Sequence, residues 1–143
     1  MRITALSMAA AVVAATITGV AAPAAANTAA SRVELAAGNG THFNTASVTY
    51  KRVDGAVNSV KILTIRAQSA AHEGECVWVE WNDPNWPGGW AHLNSEPPCG
   101  GMDYIEELNR VIKAPAGHQL KVRLAVHHQF DVDLAHKDVA KLL

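Results

Sequence analysis

The stretch "TASVTYKRVDGAVNSVKILTIRA", residues 45–67, decides the fold class. Its first half, Thr45 to Val53, is dense in β-branched and aromatic residues. Such side chains pack well on a pleated surface and lose rotamer freedom in a helix. Asp54-Gly55 follows, and a type I′ turn needs positive φ at both central residues, so the pair predicts a two-residue hairpin connection. On the return, Val60, Ile62 and Thr64 alternate with Lys61, Leu63 and Ile65. One apolar face and one mixed face suit a sandwich strand covered on one side.

Working outward, Cys76 to Trp81 is a second strong strand, with Val77, Val79 and Trp81 on one face and Cys76, Trp78 and Glu80 on the other. Asn82-Asp83-Pro84-Asn85 and Pro87-Gly88-Gly89 then break regular structure. WAHL, residues 90–93, reads as a short returning strand, stopped by Pro97-Pro98. Leu120, Val122, Leu124 and Val126 alternate with Lys121, Arg123 and Ala125, which is strand again. RVELA, residues 32–36, predicts a first strand closed by the turn signal Gly38-Asn39-Gly40.

Two segments stay open. Within 103–113, Ile105, Leu108, Val111 and Ile112 share a helical face, and Asp103 with Glu106 makes a capping box. Alternatively, Asn109 to Lys113 is a strand ended by Ala114-Pro115-Ala116-Gly117. In the tail, Val132 and Leu134 extend the sheet, or Leu134 to Leu142 forms a turn or two of helix. The expected fold is all-β: an antiparallel β-sandwich with one disulfide and room for one short helix.

The chain opens with MRITALSMAAAVVAATITGVAAPAAAN. Arg2, an apolar run from Ala9 to about Ala22, and small residues at Ala24-Ala25-Ala26 have the layout of a secretory signal cleaved after Ala26. The apolar run is shorter than a membrane span requires. The expected organisation is a signal peptide at 1–26 and a single β-rich domain at 27–143, released without a membrane anchor. Without Arg2, eleven basic side chains face thirteen acidic ones. That near-balance points away from nucleic acid and anionic membranes as partners. The two cysteines, Cys76 and Cys99, are expected to pair in an oxidising compartment.

The Cys-x-x-x-x-Trp strand at 76–81, a second cysteine about twenty residues on, Ala114-Pro115-Ala116-Gly117 and the alternating Val/Leu strand together resemble small secreted proteins of actinomycete bacteria. The likeness spans about residues 45–130. It implies a β-sandwich and strand at 109–113, and it carries over no catalytic residue.

All four tryptophans lie between the cysteines. Trp78 and Trp81 fall on opposite faces of one strand, so at least one belongs to the core. Trp86 and Trp90 sit in a Pro/Gly-rich segment, where rings either fold back over a sheet edge or stack on a ligand. With Asn82, Asp83, Asn85 and Glu80 as hydrogen-bonding neighbours, the second arrangement suits a sugar. The predicted ligand-binding set is Trp86, Trp90, Asn82, Asp83 and Asn85.

His127-His128 with Asp131, Asp133 and His136, and His72-Glu73-Gly74-Glu75, hold metal-ligand residue types. Neither has a recognised ligand spacing, and adjacent histidines on a strand point to opposite faces, so no metal and no cofactor is expected. Glu106-Glu107, Glu73 and Glu75 are the carboxylates that glycoside hydrolysis would draw on. No nucleophile or phosphate-loop motif accompanies them. The sequence therefore reads as a secreted, non-catalytic binding protein for an extracellular glycan or protein. A secreted protease inhibitor is the alternative, and a small secreted hydrolase is the remoter one.

Overall fold

The computed structural model describes residues 29–38, 43–128 and 131–142. Among the described residues, eight strands form two four-stranded antiparallel sheets. The first contains β1 (Ser31–Gly38), β2 (Phe43–Arg52), β3 (Ser59–Gln68) and β6 (Asp103–Lys113), in the order β1-β2-β3-β6. The second contains β4 (Glu75–Trp81), β5 (Ala91–His92), β7 (Lys121–His128) and β8 (Asp131–Lys141), in the order β5-β4-β7-β8. The two-sheet sandwich and the Cys76–Cys99 bond are as expected. Residues 1–26, expected to be a signal peptide, lie outside the described residues.

The inner faces interdigitate. Leu35, Val48, Val60, Ile62 and Ile65 come from the first sheet; Val77, Val79, Trp81, Val122, Leu124 and Val126 come from the second. Full burial of one such aliphatic side chain contributes about 1.5–3 kcal/mol, so the alternation that places them inward specifies the fold.

Residues 103–113 are strand throughout, and no helix forms there. β6 is an edge strand paired to β3 along its length. Ile112 goes into the core, whereas Ile105 and Val111 face solvent. Their apolar character mimicked a helical face because an edge strand leaves its outer side uncovered.

Two further expectations need correction. The Asp54-Gly55 turn does not join the strands directly. The connection runs over residues 53–58, with Ala56 N–H donating to Val53 and Val53 N–H to Ser59. Gly55 has φ 70° and Asn58 has φ 62°, and this second left-handed residue, which asparagine tolerates, turns the chain into β3. The alternation in β3 also slips. Against β2, Tyr50 pairs with Ile62 and Thr49 with Thr64, so Leu63 is an extra residue on β3; β6 answers with its own shift at Asn109, φ 49°. This bulge sends Ile62 and Ile65, rather than Ile62 and Thr64, into the core.

The open edge of β4 is closed by irregular chain. After β5, Leu93 N–H donates to Val79 O at 2.7 Å. The Asn94 side chain then takes the place of a strand peptide: it accepts from Val79 N–H at 2.8 Å and donates to Val77 O at 3.2 Å. Pairing resumes with Val77 N–H to Pro98 O and Gly100 N–H to Glu75 O, around the disulfide. On the way, Ser95 N–H donates to Glu106 Oε2 at 2.9 Å, and Tyr104 donates to the same oxygen at 2.8 Å. One carboxylate of the first sheet thus fastens the edge of the second. Strand directions bring the 53–58, 82–90 and 114–120 connections to one end of the sandwich.

Candidate functional site

The outward face of the second sheet carries the densest chemistry. β4 presents Cys76, Trp78 and Glu80 there, because Val77, Val79 and Trp81 are committed to the core. Register then sets the neighbours. Glu80 lies opposite His92 on β5 and opposite Arg123 on β7, so three polar side chains form one row across three strands. Arg123 Nε donates to Glu80 Oε2 at 2.7 Å, and His92 Nε2 stands 3.3 Å from Glu80 Oε1. Glu80 is only 4 % exposed. A carboxylate this buried needs such partners, since an unpaired one would be strongly destabilising.

Aromatic rings cover this row. Trp78 is opposite Ala125 of β7, and its indole lies toward β5 on the other side. Trp78 stacks on His92 with ring centroids 3.9 Å apart and planes 16° from parallel. The Arg123 guanidinium lies 4.2 Å over the ring of Trp90, a cation–π contact. His92 titrates below the ordinary histidine range: burial disfavours its cation, Glu80 opposes that effect, and the nearby His127 adds to it. His127, opposite Cys76, holds a buried Nε2 without a hydrogen-bond partner among the described residues.

The predicted ligand residues are distributed around the 82–90 connection. Asn82 is a hinge pin. Its amide donates to Gln119 O at 2.8 Å and accepts from Lys121 N–H at 2.7 Å, zipping the loop to β7. Asp83 accepts from Asn85 N–H at 3.0 Å and shapes the turn. Asp83 and Asn85 line a groove at the loop end, together with Trp81. Trp86 is 51 % exposed just before a 3₁₀ turn at Pro87–Gly89. Gly89 N–H closes that turn on Trp86 O at 2.8 Å. Trp90 returns to the sheet face and meets Arg123.

Sequence reasoning missed His92 and Arg123, and it listed Glu80 only as a neighbour of the loop. The available signal was a charge between Val79 and Trp81 in a strong strand; its two partners become visible only through register. Of the other candidates, Glu75 is buried and accepts from Asn44 Nδ2 at 3.2 Å, with His72 Nδ1 at 3.7 Å. Glu106 is tied to Ser95 and Tyr104, whereas the adjacent Glu107 is exposed on the opposite face. These two carboxylates do not converge. Among the described residues, no group of three His, Cys, Asp or Glu is placed to hold a metal ion. The side chains of His128, Asp131, Asp133 and His136 lie outside what is described. No helix among the described residues is long and apolar enough to cross a membrane.

No protein-family model, curated protein or solved structure matches this chain.

Proposed function

We propose that this is an exported, non-catalytic binding protein whose ligand is a glycan, held on the outward face of the second sheet beside the 82–90 loop. The observation that carries the reading is the His92–Glu80–Arg123 row under Trp78 and Trp90. Ion pairing and stacking hold the two indoles in place before any ligand arrives, which lowers the ordering cost of binding. Flat apolar rings beside fixed polar groups suit the apolar face and hydroxyl edge of a sugar ring. Trp86, exposed at the loop tip, extends the aromatic surface available to a longer chain.

Tryptophan fluorescence and acrylamide quenching, titrated with gluco-, manno- and chito-oligosaccharides, test this directly. At least one series should shield the indoles, and Trp90→Ala should abolish the effect. Fluorescence indifferent to all three series would overturn the glycan assignment.

A protease-inhibitor function draws support from a different feature. The Trp86–Gly89 tip protrudes from a loop pinned by Asn82 and limited by the disulfide. That function would show as a stoichiometric complex with a secreted protease on size exclusion, blocked by substitution at Trp86.

A further inference from the structure

β6 is an open edge of the first sheet. It pairs with β3 on one side, and no strand among the described residues pairs with it on the other. An edge eleven residues long is a template for a further strand, and native chains cover or blunt such edges. The large apolar side chains left exposed among the described residues gather here. Of Phe43, Val57, Trp86, Met102, Ile105 and Val111, four lie on β6 or at its ends. Ile105 and Val111 are on the strand, and Met102 immediately precedes it. Val57 adjoins Asn58, whose carbonyl accepts from Ala114 N–H just beyond the strand. The strand, DYIEELNRVIK, is also antisymmetric in charge about its central residue, Leu108. Asp103, Glu106 and Glu107 fill one half; Arg110 and Lys113 fill the other. Asp103, Glu107, Arg110 and Lys113 are exposed and form no ion pair among the described residues.

We propose that β6 pairs antiparallel with β6 of a second copy of this chain, about a two-fold axis at Leu108, joining the two first sheets into one continuous sheet. In that register Asp103 stands opposite the partner's Lys113, Ile105 opposite the partner's Val111, and Glu106 opposite the partner's Arg110. Opposite charges and apolar pairs directly across an antiparallel ladder stabilise it, and like charges destabilise it. Charge selects this register. A slip of two residues one way sets Glu107 against the partner's Glu107. The same slip the other way sets Ile105 against the partner's Lys113 and Glu106 against the partner's Ile112. Parallel pairing in register aligns like charges along the whole edge. The two-fold arrangement is isologous, so it closes at two copies and leaves no β6 edge open. The irregularity at Asn109, φ 49°, adjoins the axis. A bulge at mid-edge resists a strand that must run straight past it. Here it falls between the two paired runs, so residues 103–107 of each copy meet residues 109–113 of the other. The edge belongs to the first sheet, and the inference does not depend on the sugar-binding reading of the second.

Sedimentation of the purified protein, from about 10 μM to about 1 mM, tests the pairing together with two charge reversals at exposed positions. Wild type should pass from monomer to dimer in that range. Asp103→Lys sets lysine against the partner's Lys113 at both ends of the interface, and Lys113→Glu sets glutamate against the partner's Asp103. Each should raise the dissociation constant roughly tenfold or more, with near-ultraviolet circular dichroism unchanged. An equal mixture of the two variants restores opposite charges at both ends, so it should dimerise about as well as wild type. Hydrogen exchange on the wild-type chain gives a readout that needs no variant: β6 amides should gain protection as concentration rises, while amides in the β1–β2 pair stay constant. A protein monomeric up to about 1 mM overturns the proposal. So does a dimer equally tight in each single variant, a mixture no tighter than its components, or β6 exchange indifferent to concentration.

Discussion

Arg123 donates its Nε hydrogen to Glu80 across β4 and β7 at 2.7 Å, and the two side chains are only 16 % and 6 % exposed. The pair sits on the nominally outer face of a sheet, where charged residues are ordinarily solvated. Breaking it leaves an uncompensated charge beneath Trp90. Glu80→Ala is expected to cost about 3–5 kcal/mol, whereas the double substitution Glu80→Leu with Arg123→Met should cost clearly less. Urea midpoints of the three proteins decide the matter. Equal losses would mean that the carboxylate acts through His92 alone.

The tryptophans should separate by burial. Trp81→Ala removes a core side chain and should cost about 3–5 kcal/mol. Trp86→Ala, at the exposed tip, should fall within about 0.5 kcal/mol of wild type. Trp90→Ala should lie between them, since it loses a cation–π contact worth about 0.5–2 kcal/mol and little core. Denaturation curves are sufficient, and no ligand is needed.

Asn94 stands in for a peptide unit on β4. Asn94→Ala leaves Val79 N–H without its acceptor, and a buried group so orphaned costs about 1–3 kcal/mol. Hydrogen exchange should show the Val79 amide losing protection in this variant, while amides in the β2–β3 pair keep theirs. Unchanged protection at Val79 would show that another group replaces the side chain.

Stability should fall on mild acidification. His92 is held below its ordinary pKa by burial, so the folded chain binds fewer protons there than the unfolded chain. The contribution is fully present above the unfolded histidine pKa of about 6.5 and declines as pH falls from there toward the lowered folded value. His92→Gln should flatten this part of the profile in melting scans between about pH 7.5 and pH 5. A parallel profile in the variant would assign the acid sensitivity to other groups.

Reduction of Cys76–Cys99 should cost roughly 3 kcal/mol, as the loop-entropy treatment of a closure with a sequence separation of 23 suggests. Non-reducing alkylation followed by intact-mass analysis should find no modified thiol on the native protein.

Much of this architecture was legible from residues alone. The inward sets of β4 and β7 follow from local alternation, because successive side chains on a strand take opposite faces whatever lies beyond. The cysteine pairing followed from the expected export and an even count. The segment at 103–113 was not legible, because Ile105, Leu108, Val111 and Ile112 satisfy a helical period by accident of an uncovered edge. Only pairing with β3, some forty residues earlier in the chain, decides that it is strand. The same holds for the candidate site. Sequence placed Trp78 and Glu80 on one face of β4. It had no means of bringing Arg123 and His92 to either side of Glu80, or of separating Trp90 on the sheet face from Asp83 and Asn85 in the loop-end groove. Alternation is a property of the neighbouring peptide units. Cross-strand partnership depends on register, which long-range packing sets and bulges reset, and that information resides in the folded sandwich as a whole.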